Sequence, residues 1–221
     1  MQREMPEKAG AEITFRAYEK GDLERCCEIA IKAWPEVFSI ARSGEAKFAM
    51  EAYVDFYGAS SSWQEVACES GSVVGMLFGR VENDIGRLGR FKTFIGEQMV
   101  YLRFLAGLYG NLSHRLLLTR KAMSDDRNKA QNSPEADGEI VFFVVDIGHW
   151  SRGIGRELMG RFMRHARDRG ARRVIVYTND PGCNWSFYDK YGFKLRSTFR
   201  DNFTSYVRNE EVKALIFSID I

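Results

Sequence analysis

One stretch, Gly138 to Arg169, does most to limit the folds open to this chain. It reads GEIVFFVVDIGHWSRGIGRELMGRFMRHARDR. Six successive apolar residues, Ile140 to Val145, predict a strand. A polar loop with a Gly-x-Gly pair, Gly153 and Gly155, follows, and a basic amphipathic helix starts at once. A strand, a glycine turn and a helix start together suit a phosphate-bearing cofactor. The first amides of a helix have no internal acceptor, and the helix dipole adds partial positive charge there. Glycines let the backbone approach closely because no Cβ stands in the way.

Two well-known phosphate sites do not fit. A P-loop needs Gly-x4-Gly-Lys-Ser/Thr, and the sequence contains no such string. A dinucleotide fingerprint needs Gly-x-Gly-x-x-Gly, and the third glycine is replaced by Leu158. The motif also lies late in the chain, with no second βαβ half after it.

Composition narrows the classes further. The 221 residues suit one domain with an insertion, at 45% hydrophobic and 28% charged residues. A net charge of +2 argues against a dedicated nucleic-acid binder. The cysteines, Cys26, Cys27, Cys68 and Cys183, form no Cys-x-x-Cys pair and read as reduced thiols of a cytoplasmic protein. The three histidines have no metal-ligand spacing with one another or with the cysteines. The start, MQREMPEKAGAE, is charged and lacks the apolar core of a secretory signal. The most apolar helical stretch, Phe94 to Leu118, is broken by Glu97, Arg103, His114 and Arg115, so no membrane span is expected.

Taken in order, residues 1–10 read as a loose tail. A first strand is expected over Ile13 to Tyr18, and a helix capped by Asp22 over Leu23 to Trp34. A second helix is expected over Glu45 to Tyr57. A hairpin follows, Gln64 to Glu69 and Ser72 to Val81, turning at Gly71; Gly75 and Gly79 inside it mark a bulge or a close backbone approach. Residues 84–137 read as a helical insertion plus a polar loop. Phe91 to Lys121 carries apolar residues at helical spacing, interrupted at Gly107 to Asn111, and Ser124 to Asp137 is polar enough for a mobile loop. The insertion is expected to pack on the core as a lid or a dimer face, or to serve as a membrane-surface or partner helix. After the helix that Gly170 ends come a short strand at Val174 to Tyr177, a helix at Cys183 to Lys190 stopped by Gly192, and strands at Phe193 to Thr198 and Lys213 to Ile219. The order predicts a mixed α/β sheet in a single domain over residues 1–221.

The segment Glu139 to Leu158 resembles the coenzyme A motif of the GNAT superfamily of N-acetyltransferases: an apolar strand, then Arg/Gln-x-x-Gly-x-Gly/Ala opening a helix. A second block, Asn184-Trp185-Ser186-Phe187-Tyr188-Asp189-Lys190-Tyr191-Gly192-Phe193, is similar to the family's later helix with its Tyr-x-x-x-Gly-Phe ending. The resemblance spans residues 139–193, about a quarter of the chain. It departs from the pattern at Trp150, where the family prefers Arg or Gln, at Asn184, where it prefers a small residue, and at Pro181, where it often has Asn. It implies an α/β (α+β) fold, with a mixed, mostly antiparallel sheet, flanking helices and a helical insertion before the central strand. It also implies acetyl-CoA as co-substrate and a small-molecule or peptide amine as acceptor.

By the same resemblance, the amides from Arg152 to Arg156, including Gly153, Ile154 and Gly155, would hold the pyrophosphate. Arg152 and Arg156 would add charge there, although each could equally be part of a solvated basic face. The Val144–Val145 backbone would pair with the pantetheine arm, Asn184 would stand beside the cofactor, and the backbone NH near Val145 would meet the oxyanion. Acetyl transfer needs a neutral amine, a stabilised oxyanion and a proton for the leaving thiolate. Tyr188 is at the place where the family often has the acid. A tyrosine hydroxyl, with an unperturbed pKa of about 10, keeps its proton at neutral pH; the alternative is an aromatic core residue. Glu139 is a candidate base acting through water, or else a solvated carboxylate at a strand end. Asp146 is a weaker candidate that could simply shape the turn after the strand. Cys183 has no histidine beside it in sequence and reads as structural. The competing reading is a non-catalytic acyl-CoA sensor or adaptor.

Overall fold

Apolar residues crowd both faces of the central strands, so the sheet must be covered on both sides. The computed structural model describes residues 12–35, 45–85, 95, 98–99, 102, 112–180 and 184–221. Its strands are β1 (Ile13–Ala17), β2 (Trp63–Glu69), β3 (Ser72–Val81), β4 (Gly138–Val145), β5 (Arg173–Asp180), β6 (Lys194–Arg200) and β7 (Lys213–Asp220). The longer helices are α1 (Leu23–Ala33), α2 (Glu45–Ala59), α3 (Leu112–Asn132) and α4 (Ile154–Asp168), with short α5 (Ser186–Tyr191) and α6 (Asn202–Arg208). One seven-stranded sheet runs in the order β1-β2-β3-β4-β5-β7-β6. Every neighbouring pair is antiparallel except β4 and β5.

Two apolar layers cover the sheet. One gathers α4, Tyr188 and Phe193 against Leu77, Ile140, Val176 and Phe217. The other gathers α1 and α2 against Val66, Met76, Phe78, Phe142 and Val144. The helix α4 buries Ile154, Leu158, Met159, Phe162, Met163 and Ala166. These fall on one face at helical spacing. Each large side chain removed from water in this way contributes about 1.5–3 kcal/mol.

The two strand glycines flagged in the sequence have separate jobs. Next to Gly75, the β2–β3 register shifts between Ala67 and Cys68. At Gly79 the β3–β4 register shifts, leaving Val141 as the extra residue of β4. A Cβ on Gly79 would lie 2.2 Å from Phe162 Cε2, so this glycine lets the α4 aromatic ring rest directly on β3. The hairpin turn has positive φ at both Ser70 and Gly71, which matches the right-handed twist of the strands it joins.

Several expectations need correction. Asp22 does not cap α1. Its carboxylate instead accepts both guanidinium N–H groups of Arg16 at 2.7 Å and the Glu19 amide at 2.8 Å. The Arg16 hydrogen bonds hold it below the usual carboxylate range. Ser124 to Asn132 is helical, the last part of the 21-residue α3, and not loop. Polar composition misleads there because the polar groups have long-range partners. Asp125 accepts the backbone N–H groups of Asn202 at 2.9 Å and Phe203 at 2.7 Å. Those bonds satisfy the start of α6, a helix not foreseen from the sequence, which Asp201 also caps through the Thr204 amide. The strand β5 extends to Asp180, past the expected Tyr177. The expected tail at residues 1–10, the pattern over residues 86–94 and most of 96–111, and Cys183 lie outside the described residues.

The Gly79 contact yields a stability prediction. Gly79→Ala should destabilise the protein by about 1–3 kcal/mol through overpacking against Phe162. Adding Phe162→Leu should recover part of that loss in a double-mutant cycle read by urea unfolding. Purely additive effects would mean that the two side chains do not meet.

Candidate active site

The site begins where two neighbouring strands part. The strands β4 and β5 pair in parallel only at Gly138↔Val174, Glu139↔Ile175 and Ile140↔Val176. The bulge residue Val141 comes next. A bulge bends its strand and strengthens the local twist, and the pairing of β4 with β5 stops at the residue before it. Beyond it, Phe142 to Val145 stay paired with β3 on one side. Residues Tyr177 to Asp180 stay paired with β7 on theirs. The two strands therefore open into a wedge with its vertex at Ile140 and Val176.

Backbone alternation decides which groups line that wedge. The Asp146 amide donates to Val74 O at 2.8 Å, towards β3. Successive residues of an antiparallel strand point their polar groups to opposite sides. Val144 therefore serves β3, while the polar groups of Phe143 and Val145 face the gap. The expected Val144–Val145 edge becomes a Phe143 and Val145 edge.

The start of α4 stands beside the open end of the wedge. Ser151 has φ +63 and Gly153, the residue before the helix, has φ +80. No side chain caps the first turn, so the amides of Ile154, Gly155 and Arg156 keep their capacity for an anion. A Cβ on Gly155 would meet Phe143 Cζ at 3.2 Å, Phe187 Cε2 at 3.6 Å and Val145 Cγ2 at 3.6 Å. This glycine seats the helix start on the strand edge. Nothing lies within 4 Å of a Cβ on Gly153, so the space before the helix is open. A free strand edge, a bare helix start and open space in front of it fit the extended arm and diphosphate of a coenzyme A thioester.

Ion pairs from distant elements hold the loop between β4 and α4. Glu69 at the end of β2 accepts from Arg152 Nη2 at 2.6 Å and lies 3.0 Å from His149 Nε2. These contacts, Arg152 first, keep the Glu69 carboxyl below its ordinary range. A depressed folded-state value means that the tether is fully present above the unfolded pKa of about 4.3 and is lost only as the pH falls through the lower folded value. Asp146 shapes the turn, accepting from the Gly148 amide at 3.2 Å and pairing with Arg25 Nη2 at 2.6 Å. Trp150, which fits the sequence motif least, donates its indole N–H to Val145 O at 2.8 Å. The residue as a whole is 49% exposed. Arg156 lies over the Tyr191 ring, 5.8 Å from the centroid. Asn184 is exposed and accepts from Ser186 Oγ at 2.7 Å.

The two candidate catalytic side chains belong to opposite faces of the sheet. Tyr188 is 8% exposed. It packs in the α4 layer with its ring 6.4 Å from Phe143, 5.7 Å from Phe193 and 6.2 Å from Phe217. Glu139, at the vertex, is 5% exposed and so is not a solvated strand-end carboxylate. Its Oε2 accepts from Arg80 Nη2 at 2.5 Å, and its Oε1 pairs with Lys129 Nζ. Sequence reading missed Arg80, Lys129 and Glu69, because each acts across a turn or from another element. The one available signal was that Arg80 falls on the strand preceding the central one.

The Trp150 bond makes the loop testable. Trp150→Phe removes one donor, which should cost about 0.5–1.5 kcal/mol. Amide exchange should quicken across Ser151 to Gly155 in particular. Unchanged protection of those amides would show that the indole does not hold the loop.

The Acetyltransferase (GNAT) family model matches residues 121–193. No curated protein matches the sequence. Among solved structures, Ard1 from Thermoplasma volcanium aligns with a TM-score of 0.52 at 16% identity, over 95% of this chain and 97% of its own. The yncA acetyltransferase of Salmonella typhimurium, solved with its cofactor acetyl-CoA, aligns at 0.52 and 14% identity, over 94% and 93%. The ribosomal-protein-S18-alanine N-acetyltransferase of Escherichia coli aligns at 0.51 and 12% identity, over 95% and 94%. At such identities these likenesses establish the fold, a mixed α/β sheet that is mostly antiparallel. The family match favours an enzyme over a non-catalytic acyl-CoA-binding protein. The family match over residues 121–193, a third of the chain, and the fold together support an acyltransferase with acetyl-CoA as its co-substrate.

Proposed function

We propose that the protein transfers an acetyl group from acetyl-CoA to an amine of a small molecule or peptide by direct attack in a ternary complex. The observation that carries this reading is the parting of β4 and β5 beside the uncapped start of α4. When bound, acetyl-CoA supplies an acyl group already activated as a thioester.

The chain's own groups divide the work. The amides of Arg152 to Arg156, through Gly153, Ile154 and Gly155, hold the diphosphate. Arg156 adds charge there, and Arg152 can do so by exchanging its Glu69 partner for phosphate. The Val145 N–H and the edge groups of Phe143 take the pantetheine arm as they would an added strand, and Asn184 borders it. An edge N–H near Val145 faces the negative charge that develops on the acyl oxygen. Tyr188 holds a proton at its hydroxyl for the departing sulfur. Glu139 takes the proton that the acceptor ammonium must lose.

Two variants test separate parts. Tyr188→Phe should lower kcat about 100-fold, the lower range for a positioned acid, and leave acetyl-CoA affinity unchanged by calorimetry. Equal turnover would remove Tyr188 from this role. Gly153→Asp places a carboxylate before α4 in open space, at a left-handed position that Asp tolerates for about 1 kcal/mol. It should keep the fold by circular dichroism and weaken acetyl-CoA binding at least roughly tenfold through repulsion of the diphosphate. Full affinity would show that the diphosphate binds elsewhere.

A further inference from the structure

The acid end of the wedge already contains an amine. Lys129, on the last turns of α3, reaches across to pair its Nζ with Glu139 Oε1. The same Nζ lies 5.9 Å from the centroid of the Tyr177 ring. Glu139 adjoins Ile140 and Tyr177 adjoins Val176, the last pair before the strands part. The Lys129 ammonium therefore stands beside the vertex, between Glu139, in the last paired stretch of β4, and Tyr177, the first residue of β5 past the pairing. Its side chain is 26% exposed, so it is accessible.

Chain direction sets what meets it there. A diphosphate at the start of α4 lies past the Val145 end of β4. An arm laid along the free edge from there passes Val145 and then Phe143, towards the vertex. Its far end carries the thioester and approaches the point where Lys129 rests against the candidate base. This step depends on the cofactor placement and on the role of Glu139 proposed above.

We propose that Lys129 is an internal acceptor, acetylated in cis by the protein's own acetyl-CoA. Lys129 Nζ gives one proton to Glu139, and its lone pair forms a C–N bond with the acyl carbon as the C–S bond breaks. The sulfur leaves as thiolate and takes the Tyr188 proton, and the new amide nitrogen releases its second proton to solvent. Lysine ammonium and thioester become acetyl-lysine, thiol and one net proton. Acetylation removes the positive charge of Lys129, one of the two cations paired with Glu139, and leaves Arg80. The modification changes the electrostatic environment of the base itself and so links the state of α3 to the acceptor end of the site.

The test incubates the intact chain with acetyl-CoA and maps acetylation by peptide mass spectrometry. Occupancy at Lys129 should rise at least roughly tenfold faster than at exposed Lys190 and Lys194, as proximity requires. The rate should not change on protein dilution, and at subsaturating acetyl-CoA Gly153→Asp should lower it at least roughly tenfold, in step with the weakened binding. A readout without cofactor accompanies this. Lys129→Gln, which matches the acetylated side chain in charge, should lower the urea midpoint, and Lys129→Arg should restore it. Three results would overturn the proposal alone: Lys129 modified no faster than Lys190 and Lys194 in protein that binds acetyl-CoA by calorimetry, a rate proportional to protein concentration, or a Gln variant as stable as the parent. Absence of acetyl-CoA binding would instead remove the cofactor reading, and this proposal with it.

Discussion

An interior strand with a free backbone edge is the constraint on which the rest of this structure depends. Backbone N–H and C=O groups inside a sheet normally pair, and leaving them unpaired and buried costs about as much as a lost hydrogen bond. Here β4 gives up β5 after Ile140. The chain compensates in two ways. β3 keeps its full ladder with the far half of β4, and the Trp150 indole covers the Val145 carbonyl. The register shift that leaves Val141 unpaired falls between Phe78 and Gly79, and Gly79 admits the Phe162 ring of α4. The irregular part of the ladder thus also seats the helix whose first turn faces the opening.

Charge pairing between distant elements then fixes the rim. Glu69 of β2 holds Arg152 and His149, Asp146 holds Arg25 of α1, and Glu139 of β4 holds Arg80 of β3 and Lys129 of α3. Exposed ion pairs contribute little to stability singly. Their value here is positional, since each ties a loop or helix end to a strand whose place is set by the sheet. The Asp125 bonds to the first turn of α6 do the same for the connection between β6 and β7.

What could be read from the sequence follows the range of the forces involved. The strand–turn–helix unit at Gly138 to Arg169 was legible because its signals are local: an apolar run, two glycines and a helical stripe. The stop at Gly192 was legible too, since φ +112 there suits only glycine well. The helical state of Ser124 to Asn132 was not, because Asp125 and Lys129 find partners 77 and 10 residues away. The α6 helix was hidden for a related reason. Its cap, Asp201, stood in a stretch whose polarity resembled a loop, and the carboxylate that completes its first turn comes from α3. Glu139 is the instructive case in the site. Its type and position could be read, but its burial and its two cations depend on β3 and α3, so a strand-end glutamate that looked solvated is a clamped one.

That clamp bears on how the site could work. A carboxylate with a cation on each oxygen keeps a second lone pair on each, and the partner able to deliver a proton to it directly is the one whose own N–H can be given up. Arg80 sits on the strand directly paired with β4, at the register position opposite Glu139, so it is fixed by the sheet. Lys129 is carried by a helix outside the sheet on a long flexible stem, and its primary amine is a nucleophile of the kind a thioester acylates, whereas a guanidinium is a fixed, planar cation. The two cations are therefore not equivalent. Arg80 keeps Glu139 in place, and Lys129 is the partner that can be exchanged for an acceptor amine or can act as one.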